Sequence, residues 1–176
     1  MTFNIILYID DHLQDKDLLF NNASVPALLM DRCSRLPSVN KIVYSLSKNY
    51  QGTLKDNASS VYREGADDIH FWKDHFSRTD SSCCIKIYAD SPFLDLAVLM
   101  EMLELHEQSL AEYTYSENLP SGYSGEIISR SLIESIPDTH DKTKPLSEII
   151  KANINHFDIE IFYMQPDLRA KRIAFR

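Results

Sequence analysis

Apolar residues in this chain occur as short solid runs and as longer spaced stripes, and the two patterns predict different elements. Residues 4–9 form a compact run that ends at Asp10-Asp11-His12, as a buried strand does. Residues 41–46 and 83–88 read the same way, and 59–63 is a weaker strand. Between these runs the apolar positions recur every three or four residues. Val25, Leu28, Leu29, Cys33 and Leu36 make one stripe, opened by the helix-start signals Ser24 and Pro26. Ile69, Trp72 and Phe76 share a face of a second helix, begun by Asp67-Asp68. Leu96, Leu99, Met100 and Leu103 line a third, capped by Asp95, and the Met100, Met102 and leucine pattern there is core. Strands alternating with helices of this length predict parallel strands joined by right-handed crossovers.

The second half is patterned differently. A short strand at 112–115 leads into a polar loop, 118–125, which holds two of the chain's four glycines. Residues 126–129 are extended and 132–136 form a short helix. A polar connector at 140–144 precedes a helix over 145–154, with Leu146, Ile149, Ile150 and Ile154 facing inward. Residues 158–164 form a last strand, and the tail reads as leading into a further segment. Together these features predict an α/β domain of Rossmann-like order, three α/β/α layers around a mostly parallel central sheet.

Composition narrows the partners. The 176 residues are 44% apolar, enough for a sizeable core, and the 25% charged fraction is ordinary for a globular chain. A net charge of -8 argues against binding nucleic acid or an anionic membrane. It leaves phosphate-bearing ligands open, because a metal ion can sit between carboxylates and phosphates. Cys33, Cys83 and Cys84 show no CxxC spacing and are expected as free buried thiols, in keeping with a reducing compartment. The start lacks a basic leader and no apolar run approaches a membrane span, so a cytoplasmic setting is expected.

In an open parallel sheet, ligands bind beyond the carboxyl ends of the strands. Asp10 and Asp11 follow the first strand, Asp90 follows the central one, and Asp158 precedes the last. Asp90, followed by Ser91-Pro92, suits an oxygen ligand for Mg²⁺ or Mn²⁺ and equally suits a turn. Asp10-Asp11-His12 reads as a metal site or, more simply, as solvated loop. His70 and Asp74 read as a surface pair one helical turn apart, and His75 and His106 likewise sit on helices among polar neighbours. No G-x-S-x-G elbow frames a nucleophilic serine.

The run Ile85-Lys86-Ile87-Tyr88-Ala89-Asp90-Ser91-Pro92-Phe93-Leu94-Asp95 resembles the central strand and metal-binding turn of nucleotidyltransferases, especially the spore-coat-polysaccharide and CMP-Kdo cytidylyltransferases. Val61-Tyr62-Arg63-Glu64-Gly65-Ala66-Asp67-Asp68-Ile69 upstream resembles that family's strand and turn into a D-D-(V/I) helix. Downstream, residues 113–122 and Glu126-Ile127-Ile128-Ser129 are similar to its sugar-side stretch. The matches keep the family's order over about residues 3–135. The resemblance implies a nucleotide-diphospho-sugar transferase-like fold, with a nucleotide-side half at 1–110 and a sugar-side half at 111–176. It implies a homodimer, a nucleoside triphosphate (CTP favoured) and a sugar as partners, and Mg²⁺ or Mn²⁺ on Asp90. Asn118 and Glu126 would face the sugar. Lys16 is the basic residue available to the phosphates, and Asp158, on position alone, is a candidate second metal carboxylate.

The chain departs from the family where active members carry a glycine-rich phosphate loop after the first strand. Here Asp10-Asp11-His12-Leu13-Gln14-Asp15-Lys16-Asp17 contains no glycine and several carboxylates. Two readings follow. One is metal-dependent cytidylyl transfer to a sugar, weakened by this loop. The other is a non-catalytic or repurposed docking domain of a larger protein. For the second, Asn155-His156-Phe157-Asp158-Ile159-Glu160 with Asp167-Leu168-Arg169 resembles the linker of radical-SAM proteins of the SPASM type, whose amino ends carry a similar domain. The cluster-binding cysteine triad of such proteins is absent here.

Overall fold

The computed structural model describes residues 2–10, 12–50, 52, 54, 59–64, 69–137 and 146–165. Seven strands form one sheet: β1 (Phe3–Tyr8), β4 (Val39–Ser47), β5 (Ser60–Arg63), β6 (Cys83–Tyr88), β7 (Tyr113–Ser116), β8 (Glu126–Ser129) and β9 (Ile159–Phe162). Their order is β5-β4-β1-β6-β8-β7-β9. β8 runs antiparallel to both of its neighbours, and every other pairing is parallel. The sheet is therefore mostly parallel, with one reversed strand where the two halves of the sequence meet.

Helices cover both faces, and the alternation of side chains along the strands decides which core each residue joins. Phe3, Ile5 and Leu7 of β1, with Ile85 and Ile87 of β6, pack under α1 (Val25–Cys33) and α3 (Leu96–Ser109). Ile6, Val43, Cys84 and Ile128 pack on the other face against α2 (Ile69–Ser77), α4 (Arg130–Ser135) and α5 (Leu146–Ala152). Ser24 caps α1 through Ala27 N, and the Asp95 carboxylate caps α3 by accepting from Ala97 N and Val98 N. The expected starts of the second and fifth helices, at Asp67-Asp68 and residue 145, lie outside the described residues, as do Asp11, the connector at 140–144 and the tail.

Some expectations need correction. Leu28, placed in the first apolar stripe, is exposed, and Leu36 lies beyond the end of α1. Ile154 sits in a short 3-10 turn after α5 and is also exposed. The stretch expected as loop up to Asn21-Asn22 contains a 3-10 helix (Asp15–Leu18) and a small hairpin, β2 (Leu19–Phe20) with β3 (Ala23–Ser24). Asn21 and Asn22 both take left-handed φ (50° and 64°), the pairing a two-residue hairpin turn demands. The three cysteines are free and buried, and burial pushes the Cys33 and Cys83 thiols up to about 12, far from a reactive thiolate. Among the described residues no helix is long and apolar enough to cross a membrane.

Candidate functional site

The carboxyl edge of the sheet carries the chemistry. Beyond β6 the chain turns through Asp90 and Ser91 before α3. The Arg32 guanidinium of α1 fastens this turn by donating to Pro92 O (3.4 Å) and Leu94 O (2.6 Å). Asp90 is half-buried, and loss of solvent raises its carboxyl pKa, a shift opposed by its own backbone N–H and by His12. Ser91 is fully buried and its hydroxyl has no hydrogen-bond partner.

A cavity of about 540 Å³ opens at this sheet edge, lined by His12, Leu13, Gln14, Asp15, Lys16, Asn49, Tyr50 and Gly52. These residues follow the ends of β1 and β4. The volume lies in the range of small-molecule sites. The segment after β1 folds beside the crevice, anchored by a Tyr50 hydroxyl bond to Asp15 Oδ1 (2.6 Å) and an edge-on contact of Phe20 with Phe93 (5.0 Å). It does not build a phosphate cradle of the glycine type. Leu13 N donates to Asp10 O, Asp17 N to Gln14 O and Gln14 N to Asp17 Oδ2, so these amides are spent within the loop. Lys16 is exposed on the cavity wall between two carboxylates.

A smaller cavity, about 180 Å³, lies under the loop at 118–125. Its walls include Tyr88, Tyr115, Ser124, Gly125, Glu126 and Lys151. Gly125 is demanded by close approach, since a Cβ there would lie 2.7 Å from the Lys86 carbonyl oxygen. Glu126 opens β8 directly opposite Lys86 of β6.

The structure thus brings Asp90, Lys16 and Glu126 to one edge and separates two other candidates from them. Asp158 precedes β9 at the amino edge, where its carbonyl accepts from Glu112 N and its N–H donates to Glu112 Oε2. β6 and β9 both run away from that edge and are separated by two strands, so a rise of roughly 3.3 Å per residue and a strand spacing of about 4.8 Å put Asp158 and Asp90 well over 20 Å apart, too far to share a metal. Asn118 is 1% exposed, and its amide is engaged by the Met164 backbone: Nδ2 donates to Met164 O and Oδ1 accepts from Met164 N (3.0 Å). It clamps the chain just beyond β9. Among the described residues no three His, Cys, Asp or Glu groups form a ready-made metal cage. Asp90 alone fits the mode in which Mg²⁺ takes one carboxylate and completes its shell with water and substrate phosphates.

Two buried cations at this edge went unassigned in the sequence. Arg63 donates to Ser45 O (2.7 Å) and Ile9 O (2.5 Å) and lies 3.9 Å over the Tyr8 ring, tying the ends of β5, β4 and β1 together. Lys86, 2% exposed, stands 4.4 Å from the same ring and 3.8 Å from Glu126 Oε2. Its signal was present: it is the one charge inside the apolar run of β6.

No protein-family model and no curated protein matches the chain. Solved structures do. A cytidylyltransferase from Leptospira borgpetersenii superposes with a TM-score of 0.74 at 15% identity, over 95% of this chain and 78% of its own. CMP:2-keto-3-deoxy-manno-octonic acid synthetase, complexed with CTP, gives 0.65 at 8% identity over 93% and 89%. The Mycobacterium tuberculosis protein Rv0371c, complexed with manganese, gives 0.61 at 9% identity over 93% and 89%. At such identities the likeness is one of fold. The chain has an α/β fold similar to that of these cytidylyltransferases.

Proposed function

We propose that this chain binds a nucleoside triphosphate, CTP above the others, as its magnesium or manganese complex, and transfers the nucleotidyl group to a sugar acid or amino sugar. The carrying observation is the half-buried Asp90 just beyond β6, at the same sheet edge as a cavity of small-molecule size and a smaller one walled by Glu126. CTP is favoured because a similar structure holds it. In the reaction a sugar oxygen attacks the α-phosphorus in line, a new O–P bond forms, the bond to the β-phosphate bridge breaks, and pyrophosphate leaves. Asp90 would hold the cation, which when bound neutralises charge on the triphosphate. A desolvated carboxylate gains more from such a cation than a solvated one. Lys16 would meet the phosphates, and Glu126 would accept hydrogen bonds from sugar hydroxyls.

A second reading rests on the loop after β1. The amides of Leu13, Gln14 and Asp17 are spent within the loop, and its carboxylates repel a triphosphate by about 1–4 kcal/mol per close pair, depending on effective dielectric. That favours a repurposed domain, which binds or docks within a larger polypeptide and turns over slowly or not at all. Titration calorimetry of CTP with Mg²⁺ into wild type and Asp90→Ala separates the two. Metal-dependent heat that vanishes in the variant supports the nucleotide site. Silence with CTP, ATP, GTP and UTP at millimolar concentration sinks it and leaves the docking domain.

A further inference from the structure

β1 and β6 end side by side at the carboxyl edge. They are parallel neighbours with Tyr8 opposite Tyr88, and Ala89 N extends the ladder by donating to Tyr8 O (2.9 Å). Asp90 therefore leaves the sheet beside the chain that leaves β1, at about the 4.8 Å spacing of neighbouring strands. That chain folds back at once, because Leu13 N donates to Asp10 O (3.1 Å) and closes a tight turn. The turn keeps His12 close to the end of β1, where it is exposed and lines the larger cavity. There it is near enough to act electrostatically on the Asp90 carboxylate. With the amides of Leu13, Gln14 and Asp17 spent within the loop, side chains are what this loop offers a ligand.

A carboxylate oxygen and an imidazole nitrogen select different ions. Mg²⁺ takes oxygen ligands and gains little from a histidine. First-row transition ions bind nitrogen and oxygen together, with affinity rising from Mn²⁺ onward, and histidine is the commonest protein ligand for metals. An imidazole beside a carboxylate thus adds a bond for those ions that Mg²⁺ does not use.

We propose that His12 joins Asp90 in a two-residue divalent-cation site, and that this site takes a transition ion such as Mn²⁺ in preference to Mg²⁺. The assignment rests on Asp90 as the cation ligand proposed above. It adds the choice of ion and the residue that makes the choice. Water and phosphate oxygens would fill the remaining positions.

The probe is Mn²⁺ alone, titrated into the full chain near neutral pH. Electron paramagnetic resonance counts the free ion, and electron spin echo modulation reports whether a nitrogen binds it. Wild type is expected to bind Mn²⁺ with ¹⁴N modulation from an imidazole, and to release half of it only to a Mg²⁺ excess of at least about tenfold. His12→Ala and His12→Gln change an exposed position and should fold normally. Both should lose the nitrogen signal, and Mg²⁺ should displace Mn²⁺ from them at about tenfold lower concentration. His156→Ala, which removes an exposed histidine at the amino edge before β9, should change neither readout. Mn²⁺ bound without nitrogen modulation, or with modulation that survives in His12→Ala, overturns the proposal. So does equal affinity for the two ions in wild type, or no Mn²⁺ binding at millimolar ion. Calorimetry of CTP with Mg²⁺ on wild type and Asp90→Ala judges the nucleotide site separately, so either reading can fail without the other.

Discussion

The two edges of the sheet use polar side chains in opposite ways. At the amino edge the side chains of Asn4, His75, His106 and Arg130 are paired with neighbouring side chains or with backbone. Asn4, fully buried, donates to His75 Nε2 (2.9 Å) and Thr79 Oγ1 (3.0 Å) and accepts from Ser81 Oγ (2.9 Å). Because its amide nitrogen can only donate, His75 Nε2 must carry a lone pair, and the ring is neutral. Nearby, Ser129 gives its hydroxyl proton to Ala111 O (2.9 Å) and so accepts from His106 Nε2 (3.0 Å), which leaves Nδ1 to accept from Thr114 (2.8 Å). Arg130 donates to the carbonyls of Phe76, Thr79 and Ser81 at the end of α2. The carboxyl edge holds a desolvated Asp90 and a buried Ser91 hydroxyl that has no hydrogen-bond partner. Polar groups that satisfy one another build the domain, and a desolvated carboxylate is where a cationic ligand has something to add.

The largest expected effect breaks the amino edge. Asn4→Ala strands buried partners on α2 and the following turn and should destabilise the chain by about 2–4 kcal/mol. Urea unfolding followed by circular dichroism measures this, with nucleotide binding per folded molecule unchanged. A loss below 0.5 kcal/mol (roughly the scatter of surface substitutions) would show that the network is dispensable and the contrast between edges false.

Acid attacks the same edge next. Burial lowers both histidines from 6.5 to about 4. Protons then bind the unfolded chain before the folded one. Stability should be complete above about pH 6.5 and fall as pH drops towards 4, by on the order of 1–3 kcal/mol per histidine. A urea midpoint that stays flat from pH 7 to 4 would contradict the buried neutral assignment. This burial corrects the expectation that His75 and His106 were surface residues. They are 8% and 2% exposed.

Why those two were missed, while β1, β6 and the Asp95 cap were plain, follows from where the information lies. A solid apolar run or a cap is local and survives any packing. Whether a histidine among helical polar neighbours is covered depends on what a distant strand places over it, here Thr114 and Ser129 for His106. The burial of Asn118 was hidden for the same reason: only the return of β9 brings Met164 to its amide. Asp158 was placed correctly before the last strand, but which end of the sheet that is depends on the direction of β9. The reversal of β8 left no local mark. The Asn21-Asn22 turn did leave one, since paired asparagines tolerate left-handed φ, and the loop reading passed over it. Of the candidate site, Asp90 was legible because a lone carboxylate after a buried strand is itself a local pattern.

At the carboxyl edge the expected signs reverse. Desolvation raises the Asp90 pKa, so its ionised form opposes folding, increasingly as pH climbs past the unfolded carboxylate value near 3.8. Asp90→Asn should stabilise the chain at pH 7 by about 0.5 kcal/mol, and that gain should fade below pH 4. The same variant should lose metal-dependent CTP binding. Stability gained with binding lost is the signature of a residue kept for a ligand. If Asp90→Asn destabilises instead, the turn needs the carboxylate for itself.

The smallest effect asks whether the loop after β1 is a handicap or a replacement. Lys16 is exposed on the larger cavity, with Asp15 and Asp17 on either side, so its pull on a triphosphate is largely offset and strongly screened. Lys16→Ala should weaken CTP binding by only about threefold at low salt, and by nothing measurable near 0.5 M, where the screening length is a few ångströms. Asp15→Asn keeps an oxygen to accept from Tyr50 and removes one negative charge, so it should tighten CTP by a similar factor. If the two variants move affinity in opposite directions, the loop carboxylates are a burden on a working nucleotide site. If Asp15→Asn weakens CTP, Asp15 contacts the nucleotide or its metal, and the glycine-free loop has become a different recognition element. Calorimetry at two salt concentrations distinguishes them, because a screened repulsion disappears with salt and a direct contact survives it.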